Sequence, residues 1–222
     1  FLLDGGAGLD ILDMDLSFAK SNIVIDLTTE AGMRAFQAGI ADRGALIRNF
    51  EQVGNFATGD GNDILRLTDD IDRIALLGEG DDQLELLDGN ATIDAGSGSD
   101  EITIHGGFNI LEGGVGDHDI LIADFSDQLV EVELHFDKNG DPGDGILSVN
   151  EVLQAAFTIS STDFSSIEGL NVTGGALDDQ LNGADREGTK GDILDGAAGD
   201  DYISGKAGAD VLFGGIGRDR LF

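Results

Sequence analysis

The chain has no cysteine, no tryptophan and a single proline, and only 12 lysines and arginines stand against 44 aspartates and glutamates in 222 residues. Without cysteine there is no disulfide framework and no thiol nucleophile, although that absence does not exclude secretion. No apolar run approaches the ~18 residues of a membrane-spanning helix. A formal net charge of -32 argues against nucleic acid and anionic membranes as partners. Such charge beside 35 glycines ordinarily signals disorder. Yet 41% of the residues are hydrophobic and arrive in short clusters, "ILRL" (64–67), "IALL" (74–77) and "LELL" (84–87). The composition therefore describes a folded, β-rich chain whose charge is neutralised from outside.

A nine-residue pattern recurs. "GGAGLDIL" (5–12), "TGDGNDIL" (58–65), "GEGDDQL" (78–84), "AGSGSDEI" (95–102) and "GGIGRDRL" (214–221) all contain G-x-G-x-D-x-U, with U a large apolar residue, and the first and last carry the full G-G-x-G-x-D-x-U. The last of these is preceded by two contiguous copies, "GAAGDDYIS" and "GKAGADVLF" (196–213). "GGALDDQL" (174–181) replaces one glycine with Leu177, and "GGVGDHDIL" (113–121) has one extra residue before its aspartate. Nine residues divide into a six-residue turn, whose glycines allow positive φ, and a three-residue strand. One nonapeptide reverses the chain, so two make a coil and equivalent turns recur 18 residues apart. Asp192 then stacks on Asp210, and Asp201 on Asp219. Stacked coils lie ~4.8 Å apart and calcium–oxygen distances are ~2.4 Å, so an ion midway reaches oxygens of both turns. Plain turn formation would be served equally by Asn or Ser, without adding to the negative charge.

Asp63, Asp82, Asp100 and Asp119 are separated by 19, 18 and 19 residues and are expected on one edge of the coil. The opposite edge there, at Asp72, Ala91 and Asn109, lacks the full motif and is expected to hold little or no calcium. From Asp192 onward both edges are expected to hold it.

These nonapeptides resemble the RTX (repeats-in-toxin) family. The resemblance implies calcium as the cofactor, several ions being bound, and an extracellular or cell-surface location reached by type I secretion from a Gram-negative bacterium. Calcium ligands expected from the turns are Asp10, Asp63, Asp82, Asp100, Asp119, Asp179, Asp192, Asp201, Asp210 and Asp219.

A longer repeat overlies the short one. "GGAGLDILDMDLS" (5–17) aligns with "GGVGDHDILIADFS" (113–126), matching Asp10, Asp15 and Ser17 to Asp119, Asp124 and Ser126. Two tandem units follow: residues 1–112 with an insert at about 13–53, and 113–222 with an insert at about 122–172. Each insert holds a candidate short helix, at Glu30–Ala38 and Val149–Ala156. The second also carries "DKNGDPGDGILSVNEVLQAAF" (137–157), which resembles an EF-hand loop with its exiting helix. Asp137, Asn139 and Asp141 stand at the first ligand positions and Glu151 at the closing one. Three extra residues (142–144) and an entering strand depart from that pattern.

Catalytic signals are absent. His105, His118 and His135 form no H-E-x-x-H motif, and there is no G-x-S-x-G elbow. Arg66 and Arg73 are the only basic residues in the middle coils, too few for a substrate groove of the kind polysaccharide-acting β-helices need. The expected fold is all-β: a right-handed parallel β-roll (β-solenoid) with two irregular inserts holding short helices. Ile64, Leu67, Ile74, Leu84, Ile93, Ile102, Ile193, Ile203, Leu212 and Leu221 are expected to line its thin core. Both ends, "FLLDGGAG" and "DRLF", fall inside repeats, so further repeats or domains of the same chain are expected at both ends.

The reading that results is a non-catalytic calcium-dependent structural module of a larger secreted or surface protein, of adhesin, surface-layer or matrix type. Self-assembly or a cell-surface glycan would be its partners. The alternatives are the secretion-and-folding module of a secreted hydrolase and a carbohydrate-acting β-helix enzyme.

Overall fold

A computed structural model describes residues 2–26, 46–48, 50, 52–67, 72–87, 90–116, 118–129, 131–136, 145–151, 157–184 and 191–222. The chain opens with β1 (Leu2–Asp4), β2 (Ile11–Asp15), β3 (Val24–Asp26), β4 (Leu46–Arg48) and β5 (Gln52–Ala57). The middle coils hold β6 (Ile64–Leu67), β7 (Arg73–Leu76), β8 (Gln83–Leu86), β9 (Ala91–Asp94), β10 (Glu101–Ile104), β11 (Phe108–Glu112) and β12 (Ile120–Asp124). Next come β13 (Glu131–Phe136), β14 (Gly145–Glu151), β15 (Phe157–Ser165) and β16 (Gly169–Thr173). The last coils hold β17 (Gln180–Asn182), β18 (Ile193–Asp195), β19 (Tyr202–Ser204), β20 (Val211–Phe213) and β21 (Arg220–Leu221).

These strands wind into an all-β solenoid of about 7 turns. The first sheet runs β3-β6-β8-β10-β12-β16-β18-β20 and is parallel throughout. The second runs β2-β5-β7-β9-β11-β15-β14-β13-β17-β19-β21. A separate parallel pair joins β1 to β4. Consecutive strands alternate between the two large sheets because each turn reverses the chain. The sheets therefore have two edges of turns. The first edge carries the chain from the second sheet into the first, and the second edge carries it back.

The second insert is more regular than its sequence suggests. β14 pairs antiparallel with both β13 and β15, so these three strands form a meander built into the second sheet. The expected helix from Val149 is absent, because β14 continues through Glu151; residues 152–156 lie outside the described residues, as does the expected helix at 30–38. Alternation in "VEVELHF" and "GILSVNE" is a period-two signal, and burial of Val132, Leu134 and Leu147 selects the strand. Among the described residues there is no helix.

One hydrophobic core runs from Ile25 to Ile203. Of the expected core positions, Leu67, Leu84, Ile93, Ile102 and Ile203 are buried, and Leu212 packs against the core partly buried. Ile64, Ile74 and Ile193 are displaced by one residue: their neighbours Leu65, Ala75 and Leu194 face inward instead. The reason is parity. In Asp63-Ile64-Leu65 and Asp192-Ile193-Leu194 the aspartate is itself buried, so strand alternation turns the next residue outward. Leu221 has the inward parity but lies in the outermost strand of its sheet and stays exposed. Ile102 is fully buried at the centre of the stack, where truncation leaves a cavity. Ile102→Ala is expected to lose about 2–5 kcal/mol, read from urea unfolding at saturating calcium.

Candidate metal sites

The first edge assembles the predicted middle row into a hydrogen-bonded line. The Asp63 amide donates to Asp82 Oδ1 (2.7 Å), the Asp82 amide to Asp100 Oδ1 (2.9 Å), and the Asp100 amide to Asp119 Oδ1 (2.8 Å). The line begins with the Ile23 amide on Asp63 (2.7 Å). A second line on this edge runs from the Leu170 amide to Asp192 (3.2 Å) and from the Asp192 amide to Asp210 (2.9 Å). The third occupies the second edge: Val132 to Asp179 (2.6 Å), Asp179 to Asp201 (2.8 Å) and Asp201 to Asp219 (3.2 Å). The expected stacking thus holds for eight of these aspartates, with one edge lined in the middle coils and both in the last, and Asp179 joins the third line as a rung that the period did not predict.

A second ladder runs beside the first in the opposite sense. The Asp81 amide donates to Asn62 Oδ1 (3.2 Å) and the Ser99 amide to Asp81 Oδ1 (3.0 Å). The Asp200 amide donates likewise to Asp178 (2.8 Å), and Arg218 to Asp200 (3.0 Å). Inner aspartates reach back one coil and outer residues reach forward, so each turn is tied in both directions. Asp81/Asp82 and Asp178/Asp179 are pairs of adjacent carboxylates in the sequence. Their division into an inner and an outer ladder needed the register.

The inner carboxylates are buried: Asp63, Asp82, Asp100, Asp119, Asp179, Asp192 and Asp201 are at most 3% exposed. On Asp63, Asp82, Asp100 and Asp201 one oxygen accepts the ladder bond, and the other, Oδ2, is buried with no hydrogen-bond partner. Desolvation pushes the Asp82, Asp100 and Asp179 carboxyls up to about 7 and Asp201 to about 6, and repulsion from stacked neighbours adds to it. Backbone hydrogen bonds oppose the rise without cancelling it. A buried anionic oxygen lacking a donor is costly unless a cation supplies the missing partner.

The turn shapes the space around that oxygen. A Cβ at Gly205 or Gly214 would fall 2.5 Å from Asp210 Oδ2 or Asp219 Oδ2, so in the last coils the first glycine of the repeat leaves the room that its own aspartate faces. Turn backbones stack in parallel, with the Ser97 amide on the Gly78 carbonyl (2.8 Å) and the Val115 amide on Gly96 (2.7 Å). The donor set is therefore carboxylate and carbonyl oxygen, without nitrogen or sulfur. That chemistry suits a hard divalent cation such as calcium. Among the described residues no three His, Cys, Asp or Glu side chains converge on one metal-sized site, so most donors would be backbone carbonyls.

Other expected positions fare differently. Asp10 stands immediately before β2, on the second edge, behind left-handed Gly6 and Gly8. In the middle coils that edge is built from amides instead: Asn109 Oδ1 accepts the Ala91 amide (3.0 Å), and Asn90 Oδ1 accepts Phe108 (2.8 Å). Register places Arg73, not Asp72, level with Ala91 and Asn109. Glu151, the expected closing ligand of the EF-hand-like loop, lies at the end of β14. Phe136 pairs with Gly145 at the hairpin end, and Glu151 lies six residues further along β14, roughly 20 Å away in an extended strand. Asp137, Asn139 and Asp141 lie outside the described residues. Glu168, which sequence reading passed over, occupies a ladder position: its Oε2 accepts the Asp119 amide (2.9 Å). Its only sequence signal was the place of "IEGLNV" at the return from the insert.

No curated protein matches the chain. Residues 77–111 and 188–221 match the RTX calcium-binding nonapeptide repeat in four copies. The matched tracts include Asp82, Asp100, Asp192, Asp201, Asp210 and Asp219, whose stacked turns form the lines described above. The chain therefore carries RTX calcium-binding nonapeptide repeats, a calcium-binding structural module wound as a β-solenoid.

Proposed function

We propose that calcium folds this chain outside the cell, and that the folded solenoid is a structural module of a larger secreted or surface protein of adhesin, surface-layer or matrix type. The observation that carries this reading is the set of buried carboxylate oxygens without donors on Asp63, Asp82, Asp100 and Asp201. With Asp10, Asp119, Asp179, Asp192, Asp210 and Asp219, these residues are the proposed calcium ligands, completed by carbonyls of the stacked turns. Bound calcium supplies the positive charge that lets the carboxylates approach one another.

A thin core leaves a large part of the folding free energy to the metal. In a cytosol poor in calcium the chain, at a net charge of -32, stays extended and exportable by a type I route. At ~millimolar calcium, sites of 10⁻⁴–10⁻³ M dissociation constant fill and the chain folds. We also read 1–112 and 113–222 as tandem units. In support, the Ser17 amide donates to Asp15 Oδ1 (3.0 Å) as the Ser126 amide does to Asp124 Oδ1 (2.9 Å).

The test is far-UV circular dichroism from an EDTA-treated start, with magnesium as control. A cooperative coil-to-β transition with calcium alone is expected. A β spectrum indifferent to EDTA would overturn the reading.

A further inference from the structure

The lines have a polarity that creates an end problem. Every rung runs in one sense, from an amide of the earlier coil to Oδ1 of the later one. Each line therefore starts on an amide that needs no carboxylate of its own, at Ile23, Leu170 or Val132. Each must also meet an acceptor beyond its last aspartate. The first line meets this requirement inside the solenoid, at Asp119, where the second insert interrupts the repeat.

Three features place Glu168 there. First, β16 is level with β12 at Ile120 and Gly169 but level with β18 at Asn171 and Ile193, so Asp119 faces Glu168 whereas Asp192 faces Leu170. The line steps by two residues across one strand and cannot continue from Asp119 to Asp192. Second, the returning turn is cut short. The Gly113 amide donates to Ser165 O (2.9 Å), as the Gly196 amide does to Phe213 O (2.9 Å), which fixes Ser165 as the last residue before the turn. Only Ser166 and Ile167 separate it from Glu168, where the turn at 95–100 uses five residues before its aspartate. Ser166 holds the left-handed conformation (φ 52°) that Ala197 and Lys206 adopt in the full turns. Third, glutamate is one methylene longer than aspartate, which suits a backbone drawn in by a shortened turn. Two return bonds clamp it: the Glu168 and Gly169 amides both donate to Asp119 O (2.9 and 3.0 Å).

We infer that Glu168 is the internal cap of the first aspartate line, closing the middle calcium tract where the insert breaks the repeat. It is a positioning residue, acting on the Asp119 turn through the amide it accepts. This rests on the calcium reading for its effect on metal affinity, but not for the rung itself.

The test follows calcium-dependent amide protection in the full chain, reading 58–124 and 174–222 separately, for Glu168→Ala, Glu168→Asp and Glu168→Gln. Alanine offers no acceptor and aspartate falls short, so both should raise the calcium midpoint of the middle tract by roughly two- to threefold. The last tract should keep its midpoint. Glutamine retains an acceptor oxygen at full length and should restore the wild-type midpoint. An unchanged middle tract in Glu168→Ala, or equal shifts in both tracts, overturns the inference. If the wild-type chain gains no protection from calcium, it is the metal reading that fails. Exchange at the Asp119 amide then decides the rung alone: faster exchange in Glu168→Ala supports it, and equal exchange overturns it.

Discussion

Gly98→Ala is expected to remove the middle coils from the calcium-induced fold, whereas Gly8→Ala, at nearly the same backbone angle, should leave them standing. Both glycines have φ near +140° (143° and 142°), a region that costs an L-residue about 1–2 kcal/mol. Their surroundings differ. A Cβ at Gly8 meets nothing within 4 Å. At Gly98 it would overlap the carbonyl of Gly80 one coil below, 2.5 Å from its carbon and 3.2 Å from the Asp81 amide nitrogen. All three are backbone atoms of a laddered turn, and no side-chain rotation can relieve the contact. Displacing that carbonyl also moves a proposed metal ligand. The loss at Gly98 should therefore be on the order of 4 kcal/mol or more, the range reserved for core or backbone failures. Urea unfolding at saturating calcium, with calcium midpoints measured in parallel, compares the two variants. Equal losses at both positions would show that glycine is needed here for its backbone angle alone, and that stacking of turns adds nothing.

The same contrast explains how far the sequence could be read. The period of 18–19 residues and the invariance of Asp63, Asp82, Asp100 and Asp119 within it were enough to stack the first line, because period and coil spacing are one geometric fact. Local parity was harder. Asp63 and Asp192 look like surface turn residues, and only their burial reveals that Ile64 and Ile193 point outward. The outer ladder through Asp81 and Asp200 was invisible for a related reason: its chemistry is an ordinary Asx interaction, distinguished only by reaching across coils. The strand β14 competed with an EF-hand-like reading in which Glu151 closed the loop and a helix followed. Cross-strand partners on both sides decided for the meander, a long-range effect that no local pattern carries. Glu168 was missed because the residue that caps a line need not share the residue type of its rungs.

Acidification should partly replace calcium. In the folded, metal-free chain the Asp82, Asp100 and Asp179 carboxyls are pushed up to about 7 and Asp201 to about 6, from an ordinary value of 3.8. Folding then raises the proton affinity of all four. The metal-free fold binds protons that the unfolded chain releases, so its stability is greatest below pH ~4 and is lost as pH rises through 6 to 7. In EDTA, lowering the pH from 8 to 5 should therefore increase β-structure, with a midpoint between about pH 6 and 7 and uptake of up to four protons on folding. The calcium-loaded chain should respond with the opposite sign. Protons and calcium compete for the same carboxylates, so the calcium midpoint should rise as pH falls from 7.5 to 5.5. Replacing Asp82 and Asp100 together with asparagine should flatten the EDTA profile, since two of the four titrating groups are gone, while weakening the calcium response. Circular dichroism against pH, with and without EDTA, reads both trends. A metal-free chain that stays disordered at pH 5, or a calcium midpoint indifferent to pH, would mean that the buried carboxylates do not set the energy gap that calcium closes. If both trends appear, proton and metal act at one place: the desolvated aspartate line, whose charge must be neutralised before the coils can stack.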